Sequence, residues 1–124
     1  MIDFNDAAFV KLRMVSNDAF SSEITPLLIP GEHIVSSYKG IRDGVVFTNK
    51  RIISINIQGL IGKKKDFTSM PYSKIQAYSV ETSGNFFDDS ELDLWFSSVG
   101  IVRFEFTSNS NVLEICKLIS QFAL

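Results

Sequence analysis

The sequence predicts a mainly β protein with α: a curved antiparallel sheet of about seven strands whose open side is closed by a C-terminal helix. Three observations predict it. Between His33 and Phe106, short runs rich in Val, Ile, Phe, Tyr and Thr alternate with glycine, asparagine or charged clusters, the texture of strands and turns. No crossover helix fits between consecutive runs, so neighbours connect as hairpins and pair antiparallel. From Asn111 onward the apolar residues recur at helical spacing.

The first segment reads differently from the rest. From Asn5 to about Leu28 the apolar positions Ala8, Phe9, Leu12, Val15, Ala19 and Phe20 recur at three and four, which predicts helix with one buried face, interrupted at Ser16-Asn17-Asp18. Pro26, Pro30 and Gly31 end it, because proline removes a backbone donor and glycine favours a turn. Residues 1–30 are therefore expected as an N-terminal helical extension. Residues 31–124 are expected to hold the sheet and the closing helix, all within one structural domain.

The strands are expected at His33–Lys39, Gly44–Thr48, Arg51–Ile57, Lys65–Tyr72, Ile75–Glu81, Glu91–Ser97 and Ile101–Phe106. In the third run Ile53, Ile55 and Ile57 fall on one face, expected to be core, and Ser54 and Asn56 on the other. Leu92, Leu94 and Phe96 point inward in the sixth run, as do Val102, Phe104 and Phe106 in the seventh. In the last segment Asn111 with Glu114 has the spacing of a capping box, and Val112, Ile115, Cys116, Ile119 and Phe122 share one helical face.

Composition narrows the function classes. A chain of 124 residues, 45% hydrophobic and 21% charged, is long enough for one core without a covalent or metal staple. With 12 basic against 14 acidic residues the net charge is -2, so no global field draws the chain to nucleic acid or anionic membrane. The start lacks a basic region followed by an apolar core, and no stretch approaches about 18 apolar residues, so a cytoplasmic location is expected. The lone Cys116 agrees with a reducing compartment.

Leu27-Leu28-Ile29-Pro30-Gly31-Glu32, Gly40-Ile41-Arg42-Asp43, Phe47-Thr48-Asn49-Lys50-Arg51, Gly59-Leu60-Ile61-Gly62-Lys63-Lys64 and Ile75-Gln76-Ala77-Tyr78-Ser79-Val80-Glu81-Thr82, in that order, resemble the bacterial pleckstrin-homology (PH) domain family. The resemblance implies a PH-like bent barrel of seven strands capped by the C-terminal helix. It also implies homo-oligomers, ring-like in arrangement. Function is not carried with the fold, since this architecture binds lipids, peptides and proteins through different surfaces.

Four constellations stand out as candidates for chemistry. Phe47-Thr48-Asn49-Lys50-Arg51 reads as a hairpin turn, Asn49 tolerating the left-handed backbone, and the family resemblance implies that it is a signature of the fold rather than a site. Lys63, Lys64 and Lys65 form the single basic run, beside a glycine-flexed tip. They suit contact with phosphate or anionic lipid headgroups, or alternatively an edge that discourages stray strand pairing. The acidic loop after Phe86 and Phe87 lacks the alternating oxygen ligands and inner glycine of a calcium site. Phe86 and Phe87 pack on the barrel or against a neighbouring subunit, and Trp95, opposite the inward face of its strand, is covered by another segment or offered to a partner.

Catalytic and cofactor motifs are absent. His33 is the single histidine and no motif gives it a nucleophile, while Cys116 lies on the apolar stripe of a helix. No phosphate-binding glycine motif or zinc spacing occurs, so no catalytic residue, cofactor or metal ligand is expected. The sequence thus points to a non-catalytic self-assembling or protein-interaction module whose first partner is itself. A peripheral anionic-lipid module acting through Lys63–Lys65 is the alternative.

Overall fold

In a computed structural model, residues 9–58, 64–85 and 88–123 are described. The strands are β1 (Arg13–Val15), β2 (Ile34–Lys39), β3 (Gly44–Thr48), β4 (Arg51–Gln58), β5 (Lys64–Pro71), β6 (Ile75–Thr82), β7 (Ser90–Phe96) and β8 (Gly100–Phe106). Two helices accompany them, a single turn α1 (Ser21–Ile24) and the longer α2 (Val112–Ala123). The seven expected strands are all present within two residues of their expected ends, and every ladder is antiparallel.

They form two sheets rather than one closed barrel: a five-stranded sheet in the order β1 to β5 and a three-stranded sheet of β6, β7 and β8. The sheets are sewn together by backbone bonds along one side. Leu12 N–H donates to the Glu105 carbonyl at 2.9 Å, Glu105 N–H to the Phe9 carbonyl at 3.0 Å, and Thr107 N–H to the Leu12 carbonyl at 2.8 Å. Residues 9–12 thus run beside β8, and the chain continues directly into β1 on the edge of β2. On the other side β5 passes to β6 through a short 3₁₀ turn at Tyr72–Lys74, with no ladder between the two strands.

This corrects the N-terminal expectation. Among the described residues of this segment, 9–30, helix is confined to Ser21–Ile24 and the 3₁₀ turn Thr25–Leu27 that follows, while Arg13–Val15 is strand. The reason is tertiary: two sheet edges offer unpaired backbone groups to residues 9–15, and those bonds outweigh a helical spacing too short to sustain a helix alone.

Between the sheets lies the main core. Val45, Phe47 and Ile52 meet Leu92, Leu94, Val102 and Phe104, and α2 closes this layer with Val112, Ile115, Cys116 and Ile119. Aromatic edges interlock inside it, with ring centroids 5.2 Å apart for Phe9 and Phe104 and 5.0 Å for Tyr38 and Phe106. Tyr38 donates its buried hydroxyl to the Ser110 carbonyl at 2.6 Å, tying β2 to the entry of α2; burial pushes its pKa up to about 12. Asn111, in front of α2, has φ 56, a left-handed backbone rather than the extended one of an ordinary N-cap. Phe122, on the expected stripe, stays 43% exposed and stacks on Tyr72 at 5.8 Å.

A second, smaller core lies on the outer face of the five-stranded sheet. Phe20 and Ile24 cover Val46, Ile53 and Ile55 there. The face of β4 carrying Ile53 and Ile55 is therefore buried, as expected, but under the N-terminal segment, and Ile52 is the residue that turns to the main core. Gly44 is required by this arrangement: the Phe20 ring lies where a Cβ on Gly44 would be.

The Thr48–Arg51 turn is locked by a largely buried ion pair. Arg51 Nε and Nη2 donate to Glu32 Oε2 and Oε1, both at 2.9 Å, and Thr48 Oγ1 donates to Glu32 Oε2 at 2.7 Å. Burial alone would raise the Glu32 carboxyl, but the Arg51 and Thr48 bonds and the Ile29 N–H outweigh it and hold the pKa below 4.5. Asn49 serves through its side chain rather than by a left-handed backbone. Its Oδ1 accepts from His33 N–H at 2.9 Å, and its Nδ2 donates to the Gly31 carbonyl at 3.0 Å. This motif is a structural clamp between two turns.

Candidate functional site: the open face of the three-stranded sheet

Strand register builds the site. Residues directly opposite on one face of a sheet stand about 5 Å apart, and successive rows follow every second residue. On the outer face of β6, β7 and β8 the first row is Ala77, Trp95 and Ile101, the second Ser79, Asp93 and Arg103, and the third Glu81, Glu91 and Glu105. The face therefore runs from apolar to strongly acidic over about 13 Å, four residues at the rise of a strand.

Among the described residues no element lies across it. Ala77, Ser79 and Glu81 are exposed, as are Ile101 and Arg103, while Glu91, Asp93 and Trp95 on the central strand are half-buried. Ile101 leaves 46% of its surface in water. Glycine and proline are absent from these three strands except for Gly100 at the start of β8; the register is unbroken from Ala77 to Thr82 and along β7 and β8, with one irregularity in β6 between Ile75 and Ala77, beside the apolar row.

Charge is poorly balanced at the acidic end. Arg103 binds Asp93 through Nε at 2.7 Å and Nη2 at 3.0 Å, and its Nε lies 3.1 Å from Glu91. One guanidinium thus serves two carboxylates. Glu91 is raised above 4.5, first by desolvation, which Arg103 opposes, and then by the like charges of Asp93, Glu105 and Glu81. Beside this row an open depression of about 440 Å³ is lined by Lys11, Glu81, Asp89, Glu91 and Glu105 among others. It is a surface that a cationic group would enter with net electrostatic gain.

The other expected site residues lie elsewhere. Lys64 and Lys65 begin β5, in the other sheet. Lys64 and Lys65 are both exposed, and Lys65 Nζ pairs with Glu23 Oε1 at 3.3 Å; Lys63 lies outside the described residues. Phe86 and Phe87 also lie outside them. Trp95 is thus not brought together with the lysines. His33 is exposed, and Cys116 is buried in the main core, where desolvation raises its thiol pKa. Among the described residues no group of three or more His, Cys, Asp or Glu side chains is placed to hold a metal ion, and no helix is long and apolar enough to cross a membrane.

The acidic row escaped the sequence reading because its members belong to three strands. Its local trace is the outward parity of Glu81, Glu91 and Glu105, visible only once the register is known.

Two sheets sewn along one side and closed by a C-terminal helix agree with what sequence comparison finds: the bacterial PH domain model matches residues 3–123. The chain belongs to the bacterial PH domain family. This PH domain is 36% identical over 119 residues to the uncharacterized protein YjqA of Bacillus subtilis (strain 168), covering 94% of this chain and 95% of that one. Among solved structures it is similar to a DUF1696 family protein with a pleckstrin-homology domain from Shewanella loihica PV-4. The TM-score is 0.78 at 38% identity, over 93% of this chain and 99% of the other. A pleckstrin homology domain from Shewanella amazonensis SB2B superposes with a TM-score of 0.65 at 39% identity, covering 89% and 90%.

Proposed function

We propose that this PH domain is a non-catalytic assembly module that binds protein, first of all further copies of itself, through the open face of its three-stranded sheet. The observation that carries this reading is Trp95. A large aromatic stands half-buried on the central strand, in the end row of the face between Ala77 and exposed Ile101, with no described element above it. Aromatic side chains with a rim of charge are what dominate protein interfaces. The other outer sheet face is covered at Val46, Ile53 and Ile55 by Phe20 and Ile24, although Phe67, in register with Ile55, remains exposed at its β5 side. Homo-oligomers, with the ring arrangement that the family resemblance implies, follow from the same reading. The reading is supported by Cys116, which lies within the core with its thiol pKa raised by desolvation.

Light scattering of the purified chain tests the reading. Oligomers are expected at micromolar concentration; one monodisperse monomer at every concentration would refute it. A second reading, peripheral contact with anionic headgroups through Lys63, Lys64 and Lys65, is favoured by the exposure of Lys64 and Lys65. It requires salt-sensitive binding to acidic vesicles that disappears when the three lysines are changed to glutamine.

A further inference from the structure

A second opening lies away from the three-stranded sheet, where β1 and β2 face the first turns of α2. It is a groove of about 590 Å³ lined by Met14, Val35, Tyr38, Ile115 and Leu118, with Glu114 as its only charged side chain among the described residues. Met14 and Val35 leave 42% and 41% of their surfaces in water. Its walls are tied in place: the Tyr38 hydroxyl donates to the Ser110 carbonyl at 2.6 Å, and Asn17 Nδ2 donates to the Val35 carbonyl at 3.2 Å. Backbone parity adds the deciding feature. Leu12 turns both its backbone groups toward β8, its N–H donating to the Glu105 carbonyl and its carbonyl accepting from Thr107 N–H. Met14, two residues on in the same extended chain, turns its N–H and C=O to that same side. There β8 has ended at Phe106 and the chain turns off toward α2, so neither group meets a partner among the described residues.

We propose that this groove takes a short extended peptide segment of another protein, paired as an added strand on the Met14 edge of β1, with one apolar side chain between Met14, Val35 and Leu118 and a basic side chain on Glu114. A strand edge with free backbone groups is a template for another extended chain, and a pocket beside it selects the side chain that enters. The carboxylate of Glu114 is exposed and has no ion-pair partner among the described residues, so a cation arriving there gains attraction without displacing an existing pair. β1 has 3 residues, which limits the recognised segment to about five residues at the rise of a strand. The groove shares no residue with the face of Trp95 and Ile101, so it offers a partner site that does not draw on the surface proposed for self-assembly.

The test is an array of capped, fluorescent pentapeptides in which valine, leucine or phenylalanine alternates with serine and a single lysine, glutamate or glutamine is moved through the positions. Fluorescence polarisation with the purified chain is expected to pick lysine peptides over their glutamate counterparts by about tenfold. Glu114→Lys is expected to reverse that preference, and Met14→Asp to abolish binding; both positions are exposed, and circular dichroism melts check that each variant folds. N-methylation of the peptide amide that faces Met14 is expected to weaken binding at least about tenfold, while N-methylation of the next amide leaves it unchanged. Ile101→Asp, on the open sheet face, is expected to leave peptide binding intact, so failure of self-assembly and failure of the groove are read separately. The inference is overturned if no peptide binds below about 1 mM, if Glu114→Lys keeps the lysine preference, or if N-methylation is tolerated equally at every position. Loss of binding in Ile101→Asp would move the peptide to the sheet face, and a change of oligomeric mass in Met14→Asp without peptide binding by the wild type would give the groove to contact between copies; both count against it.

Discussion

The two outer sheet faces of this molecule are built from the same strand geometry and have opposite fates. On the five-stranded sheet the outward residues Val46, Ile53 and Ile55 are apolar, and the chain uses its N-terminal segment to cover them with Phe20 and Ile24. On the three-stranded sheet the outward residues pass from Trp95 and Ile101 to a row of glutamates, and no described segment covers them. Outward apolar side chains therefore carry meaning by what covers them. A sealed face contributes to stability, and an open face with a charged border is available for binding.

The largest expected effect lies at the sealed face. Phe20→Ala is expected to cost about 4 kcal/mol, from lost burial and the cavity left over Gly44, measured as a shift of the urea midpoint. Trp95→Ala, on the open face, is expected to cost about 1 kcal/mol or less in the same measurement, since it removes only cross-strand contacts of a half-buried residue. Equal losses at the two positions would erase the distinction.

Acid separates the two sheets further, because a carboxylate in each shifts in the opposite sense. Glu32, clamped by Arg51 beside the five-stranded sheet, has its folded pKa depressed below 4.5, so its stabilisation is complete above the unfolded pKa and is lost as pH falls through the folded value. Glu91 on the open face has a raised folded pKa, so its contribution is favourable below the unfolded pKa and is lost as pH rises through the folded one. Glu32→Gln is expected to destabilise by about 2 to 3 kcal/mol at neutral pH, at the low end for a broken buried pair because Arg51 keeps some exposure, and to flatten the acid limb. Glu91→Gln is expected to leave stability unchanged or slightly raised at neutral pH. Urea midpoints from about pH 3 to about pH 7 check both signs.

Much of this contrast was legible in the sequence, though unevenly. The strands from Ile34 to Phe106 were readable because alternation and turn residues are local, and α2 because its stripe is repeated over three turns. β1 was not readable, since residues 13–15 become strand only where the edges of β2 and β8 await them. The second core had a trace in Gly44–Thr48, where Val45, Val46 and Phe47 are apolar in succession and so address both faces. Glu32 and Arg51 are separated by 19 positions, and nothing local announces their bond. Of the candidate site, Trp95 was visible by parity alone, whereas its acidic neighbours needed the register of three strands.

The single tryptophan can serve as its own reporter of the interface. Emission and acrylamide quenching of Trp95 followed from micromolar to nanomolar protein should show a shielded, blue-shifted indole that becomes accessible and red-shifted as assemblies dissociate. Oligomers whose tryptophan remains equally accessible at every dilution would place the contact on some other surface and contradict an interface built on the open face.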